Sequence, residues 1–289
     1  MSEYPTIENP KEEQIPNENL LDNMSIRQFI ELLRKSGLSE EAETLTDMCD
    51  SMSTMANEYN DMRKKVQELE EEVEQLRGDT PLTQQFKTEF RTRVTRLHLQ
   101  LDDLSRRFLE AKDSLVASAK EGISNFVEVG KSALHQACAA MSQAGIHYFK
   151  NVIGNAEKGI EANENIISSL NEYAQANAQA RQKRGNLVRS LFNIPQKAEV
   201  SVSENMFLHT LRNFTQMNIK QHNNNINASM TIISKLEAFR DKQKQALEKN
   251  PSFDNLLKNA QTRAEQMKDN IKDAVKDKFK HNDHAGPSL

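Results

Sequence analysis

Side chains that could do chemistry are few and widely spaced in this chain. A di-iron centre in a helical bundle needs Glu-x-x-His pairs on facing helices, and none of the seven histidines has Glu three residues before it. No Gly-rich phosphate loop, HExxH, GxSxG or zinc-type cysteine spacing occurs. His281-Asn282-Asp283-His284 could hold a metal only weakly, from a terminal tail. Cys49 and Cys138 are single and far apart, so they read as buried thiols and not as a disulfide framework. Carboxylates are plentiful, but none is marked for acid/base work. The reading is non-enzymatic, with no cofactor, no metal and no small-molecule substrate.

Two patterns remain that could bind something. Between Arg181 and Lys197 stand Arg181, Lys183, Arg184, Arg189 and Lys197 with no acid, interleaved with Leu187, Val188, Leu191, Phe192 and Ile194. Coulomb attraction would recruit such a segment to anionic lipid or an acidic partner, and apolar burial would hold it there. The plainer reading is a helix end whose charges are solvated or paired with this chain's own acidic helix. The second pattern is a methionine-rich ladder at helical spacing. Without a histidine among its members it is a packing seam and not a copper site.

The elements that must carry these patterns are helical. Only 9 Gly and 7 Pro punctuate 289 residues, roughly half the usual share, so the elements are long. With 37% hydrophobic residues, no Trp and a mean hydropathy of -0.74, narrow seams between helices fit better than one large core. The fold class is all-α, built of long helices with coiled-coil and helical-hairpin segments, extended, with disordered termini. A formal net charge of -4 argues against nucleic acid as partner. The start of the chain lacks a signal-peptide pattern, and the longest uncharged stretch, 132 to 149, is too short and too polar to span a bilayer. The expected location is cytoplasmic.

Residues 1–22, with three prolines and six acids against Lys11, read as a disordered tail. Ser25-Ile26-Arg27-Gln28 has the form of a capping box, which predicts a short helix within 23–38 closed by Gly37. Ser39 is the expected cap of the next helix. In that helix Leu45, Met48, Met52, Met55, Tyr59, Met62, Val66, Leu69, Val73 and Leu76 repeat at 3-4 spacing, which is the seam of a coiled coil. Thr80 and Pro81 open a third helix carrying Phe86, Phe90, Val94, Leu97, Leu101, Leu104 and Phe108, so 39–118 reads as a helical hairpin. The arginines 91, 93, 96, 106 and 107 could face the acidic second helix.

That seam has two candidate partners. Glu58 and Arg63, Lys65 and Glu70, and Glu72 and Arg77 occupy successive g and e positions, attractive across a parallel dimer. Self-association through 45–76 is therefore expected, in competition with the hairpin or another helical protein. Residues 119–195 form an Ala/Gly-rich helical region with a basic end, whose glycines imply breaks or close helix approach. That region could also lie in a membrane interface, though its lysines are sparse. After a linker at 196–202, C-terminal helices fill 203–280. Their polar run 221–227 reads as a solvated or frayed turn, Pro251 is a break, and Leu257, Ala260, Ala264, Met267, Ile271 and Ala274 share one face of the last helix. Residues 281–289 read as a disordered tail.

The run Asn23 to Leu33 (NMSIRQFIELL), followed by Gly37 and the Glu-rich seam helix, resembles the start of an uncharacterised family of helical proteins of gut Clostridia, often associated with conjugative or other mobile elements. Ser118 to Gly122 and Lys131 to Leu134 are similar to its small-residue middle segment. The resemblance covers roughly residues 20 to 145. It implies a bacterial, mobile-element setting and, being to a domain of unknown function, no chemistry. The function expected is a coiled-coil scaffold or protein-interaction protein, with peripheral binding to a membrane or anionic surface as the alternative.

Overall fold

Long helices with narrow apolar stripes and short connections bury those stripes by lying antiparallel to their neighbours in sequence. A computed structural model of the chain describes residues 19–75, 80–197 and 206–249, and among these every regular element is helical. The helices are α1 (Met24–Lys35), α2 (Ser39–Glu74), α3 (Pro81–Val129), α4 (Lys131–Leu191) and α5 (Met206–Glu248). Side-chain pairs set the directions. His98 of α3 meets Glu70 of α2 at 3.1 Å and Arg91 meets Glu74 at 2.6 Å. Tyr173 of α4 stacks on Phe86 of α3. Lys150 of α4 meets Glu237 of α5, and Lys242 of α5 meets Glu40 of α2 at 2.6 Å. Each helix from α2 onward is thus antiparallel to the next, and α5 returns beside α2, which closes a four-helix bundle.

Residue size decides how near the helices come. α4 carries glycine and alanine on its inner faces and packs most closely against α5 and α3. A Cβ on Gly145 would collide with the Met48 sulfur and lie 3.1 Å from Leu236, while one on Gly159 would collide with the His222 ring. The bulkier methionines and Tyr59 hold α2 further from its neighbours.

Capping differs from expectation at the first two helices. Asn23, not Ser25, is the N-cap of α1, with its side chain accepting from the backbone N–H of Ser25 and Ile26. Leu38 precedes α2 with no side-chain cap, since Ser39 lies inside the helix. Gly37 has φ of 77° and closes α1 as the sequence requires, and Thr80 caps α3 through the N–H of Thr83.

Three expected boundaries also move. Asn19 to Asp22 belong to the fold and not to a disordered tail: Leu20 is buried and its N–H donates to Ser53 Oγ at 3.0 Å. α3 runs without a break through 118 and 119 to Val129, because Ala119 and Gly122 continue its buried face, and the turn falls instead at Gly130 with φ of 65°. α5 is continuous through 221–227. The expected tails at 1–18 and 281–289, most of the linker and the helix after Pro251 lie outside the described residues.

α1 seals the lower end of the bundle by laying Phe29 over α3. A Cβ on Gly122 would stand 2.6 Å from both the Phe29 ring and Ala137 Cβ. Gly122→Val should therefore cost about 1–3 kcal/mol by overpacking. The reading is a lower urea midpoint at unchanged slope, and an unmoved midpoint would show that α1 does not sit there.

Candidate functional site: the seam and the projecting end of α4

The ladder from Leu45 to Val73 is buried along its whole length, no residue of it more than 8% exposed. Leu76 lies outside the described residues. What covers the seam is this chain: Ser229 of α5 contacts the Met55 sulfur at 3.6 Å, His222 lies beside Tyr59, and Met48 reaches Gly145 of α4. Flanking charges follow. Arg63 pairs with Asp102, and Glu70 and Glu74 pair with His98 and Arg91, all on α3. The structure thus brings together α2 and α3 as the hairpin expectation has it, and a second copy would meet residues 45–73 only by displacing α3 and α5. Of the other arginines of α3, Arg93 donates to the Asn165 carbonyl of α4, and Arg106 and Arg107 pair with Asp103 and Glu110 of their own helix.

Facing α2 is a stripe that hydropathy hides. Leu208, Leu211, Thr215, Asn218, His222, Asn225, Ser229, Leu236, Phe239 and Gln243 of α5 are all buried. Together with half-buried Ile232 they keep strict 3-4 spacing over five heptads. The polar run read as a frayed turn is therefore the middle of a buried seam. Its lower member is satisfied: Gln243 bonds His135 at 2.5 Å and donates to Glu41 at 3.4 Å. Its centre is not. Both ring nitrogens of His222 and the amide nitrogen of Asn218 have no hydrogen-bond partner among the described residues, while the Tyr59 hydroxyl lies beside the Asn225 side chain. Burial holds the His222 pKa down at about 4 and pushes the Tyr59 hydroxyl up to about 12. The imidazole is wedged against Gly159, and among the described residues no carboxylate bonds to it.

Cys49 and Cys138 are free and buried, and burial raises both thiols, Cys49 to about 12. Neither should react with a thiol reagent at neutral pH until denaturant opens the bundle. Rapid labelling of the native chain would show instead that α2 or α4 opens locally. Among the described residues no group of three His, Cys, Asp or Glu could hold a metal, and no helix is long and apolar enough to cross a membrane.

The basic segment has a different setting. α3 and α5 both begin near the level of Tyr173, and beyond Ala174 no residue of α4 is buried. The last 17 residues of the helix, about 25 Å, project from the bundle. Their end is built into a hook: Asn193 takes a left-handed φ of 55°, and the chain returns so that Lys197 N–H donates to Asn186 Oδ1 at 2.9 Å. Gln182 and Asn186 donate back to the Lys197 carbonyl, and Arg189 donates to that of Pro195. The hook leaves Leu191 75% and Phe192 71% exposed, with Leu187, Val188 and Ile194 also outward. Arg181, Arg184, Val188 and Leu191 share one face of the helix at 3-4-3 spacing. Arg181, Lys183, Arg184, Arg189 and Lys197 form no ion pair among the described residues. The alternative of pairing with the acidic second helix is not realised among the described residues.

No curated protein and no solved structure matches this chain. One family model does, over residues 22–285, which takes in α1, the whole bundle and the projecting end. The chain belongs to DUF6674, a family of unknown function.

Proposed function

We propose that the chain is a non-enzymatic interaction protein, an accessory of a bacterial mobile element working in the cytoplasm, that meets an anionic membrane surface through the projecting end of α4. The observation that carries this reading is the exposed Leu187, Val188, Leu191, Phe192 and Ile194 beside five basic side chains that have no acidic partner among the described residues. Their depths are matched. An amphipathic element buries about 5–10 Å into the headgroup boundary, and Arg184 stands seven residues, about 10 Å, behind Leu191. Entered end-on, the apolar tip would reach the acyl boundary with the arginines at the phosphates. The coiled-coil seam supports the reading indirectly: with its apolar length closed inside the chain, the scaffold needs another contact surface, and this end is the exposed apolar one.

Co-sedimentation with phosphatidylcholine vesicles, with and without phosphatidylserine, tests the proposal. Binding should require the anionic lipid and weaken with salt. Arg181→Glu with Arg184→Glu should reduce it by more than tenfold, since each basic residue near the surface contributes about 1 kcal/mol. Leu187→Ser with Leu191→Ser should reduce it at unchanged charge. Protein left in the supernatant with both vesicle types would overturn the membrane reading. A scaffold that joins an acidic protein through the same end would then be the form to test.

A further inference from the structure

At their lower ends α2 and α5 part, leaving a groove of about 650 Å³. Its floor is apolar, with Met48, Ile232, Leu236 and Phe239. Along its α2 edge run Glu43, Asp47 and Asp50, which form no ion pair among the described residues. Such a groove is the size and character of a seat for about three turns of an amphipathic helix.

We infer that the occupant is this chain's own segment 252–280. Four observations converge on it. The chain leaves α5 at Lys249, two turns past Lys242 and at the same end of the bundle as the groove. Leu257, Ala260, Ala264, Met267, Ile271 and Ala274 keep 3-4 spacing, and the alanines give a stripe narrow enough to enter between two helices. On opposite sides of that stripe stand Arg263 and Lys268, with no acid in a flanking position between Leu257 and Ala274. Arg263 meets the unpaired acids of α2, and Lys268 lies on the other flank, toward α5 and its Lys235. Finally, the family match runs on to residue 285 and so takes in the segment together with the bundle.

The lengths agree as well. The groove spans Glu40 to Ser51 on α2 and Ile232 to Lys242 on α5, about 15 Å each. Leu257 to Met267, as a helix running parallel to α2, would cover the same length, with the reversal of the chain falling at Asn250-Pro251. In this arrangement Arg263 lies opposite Asp47. The inference is independent of the membrane proposal, since the groove and the projecting end of α4 are at opposite ends of the bundle.

Disulfide trapping in the full chain tests it. With Asp47→Cys and Arg263→Cys, air oxidation should give a disulfide within one chain. Asp47→Cys with Thr262→Cys, which places the second thiol on the outer face, should link at least tenfold more slowly. Adding Met267→Glu to the first pair should slow its closure by a similar factor. Equal rates for the inner and outer pairs, or no linkage in either, would show that the segment does not seat. Linkage between chains would give the groove to a second copy and overturn the inference equally.

Discussion

Taking the protein from pH 7 to pH 4 should remove about 3 kcal/mol of stability through His222 alone. The folded chain holds this imidazole at a pKa of about 4 against an ordinary 6.5, because burial disfavours the charged ring. Between those values the unfolded chain binds the proton and the folded chain does not. The contribution is therefore complete above pH 6.5 and lost progressively as pH falls toward 4. Glu58, half-buried at the edge of the same layer, has its carboxyl raised by burial, which acts in the opposite sense. Comparison with His222→Leu separates the two. Urea unfolding across this range should show the variant free of the His222 slope and more stable than the wild type at pH 5. Equal slopes in both proteins would mean that water reaches the ring.

The second large effect is expected at Met52, fully buried in the middle of the α2 seam. Met52→Ala should cost about 2–5 kcal/mol, as the transfer and cavity terms add. Met217→Ala, at an exposed position of α5, should cost a few tenths. Protein concentration makes the experiment diagnostic. For a seam closed within one chain the thermal midpoint is independent of concentration, whereas for a seam shared by two chains it rises with concentration. A hundredfold dilution should leave both the wild-type and Met52→Ala midpoints in place.

How much of this was legible beforehand differs from helix to helix. The stripes of α2 and α3 are written in Met, Leu, Val and Phe, and they occupy the interior that their spacing assigns to them. The seam of α5 keeps the same spacing in Thr, Asn, His and Ser, so a reading by hydropathy takes it for solvent. Spacing alone, followed from Leu208 through Asn218 and His222 to Phe239, would have found it. The partner of the α2 seam was not legible, because Arg63 and Glu70 complement α3 as well as they complement a second α2. Local charge pairs do not distinguish the two, and the short connection to α3 decides through effective concentration. The projecting end of α4 was legible as composition, but its exposure was not. That depends on α4 being a turn or more longer than the helices that flank it, which only the register between Tyr173 and Phe86 reveals.

The claim on which the rest depends is that the α2 seam is closed by this chain's own α5, which leaves it no apolar face for a second copy. Met55→Cys with Ser229→Cys tests it directly, since the two side chains touch across that interface. Oxidised at tens of micromolar and again at a hundredfold dilution, the variant should give a monomer with one internal disulfide at the same rate in both, and the wild type should sediment as a monomer. A disulfide-linked dimer that forms faster as concentration rises would contradict the account and return the seam to a partner chain.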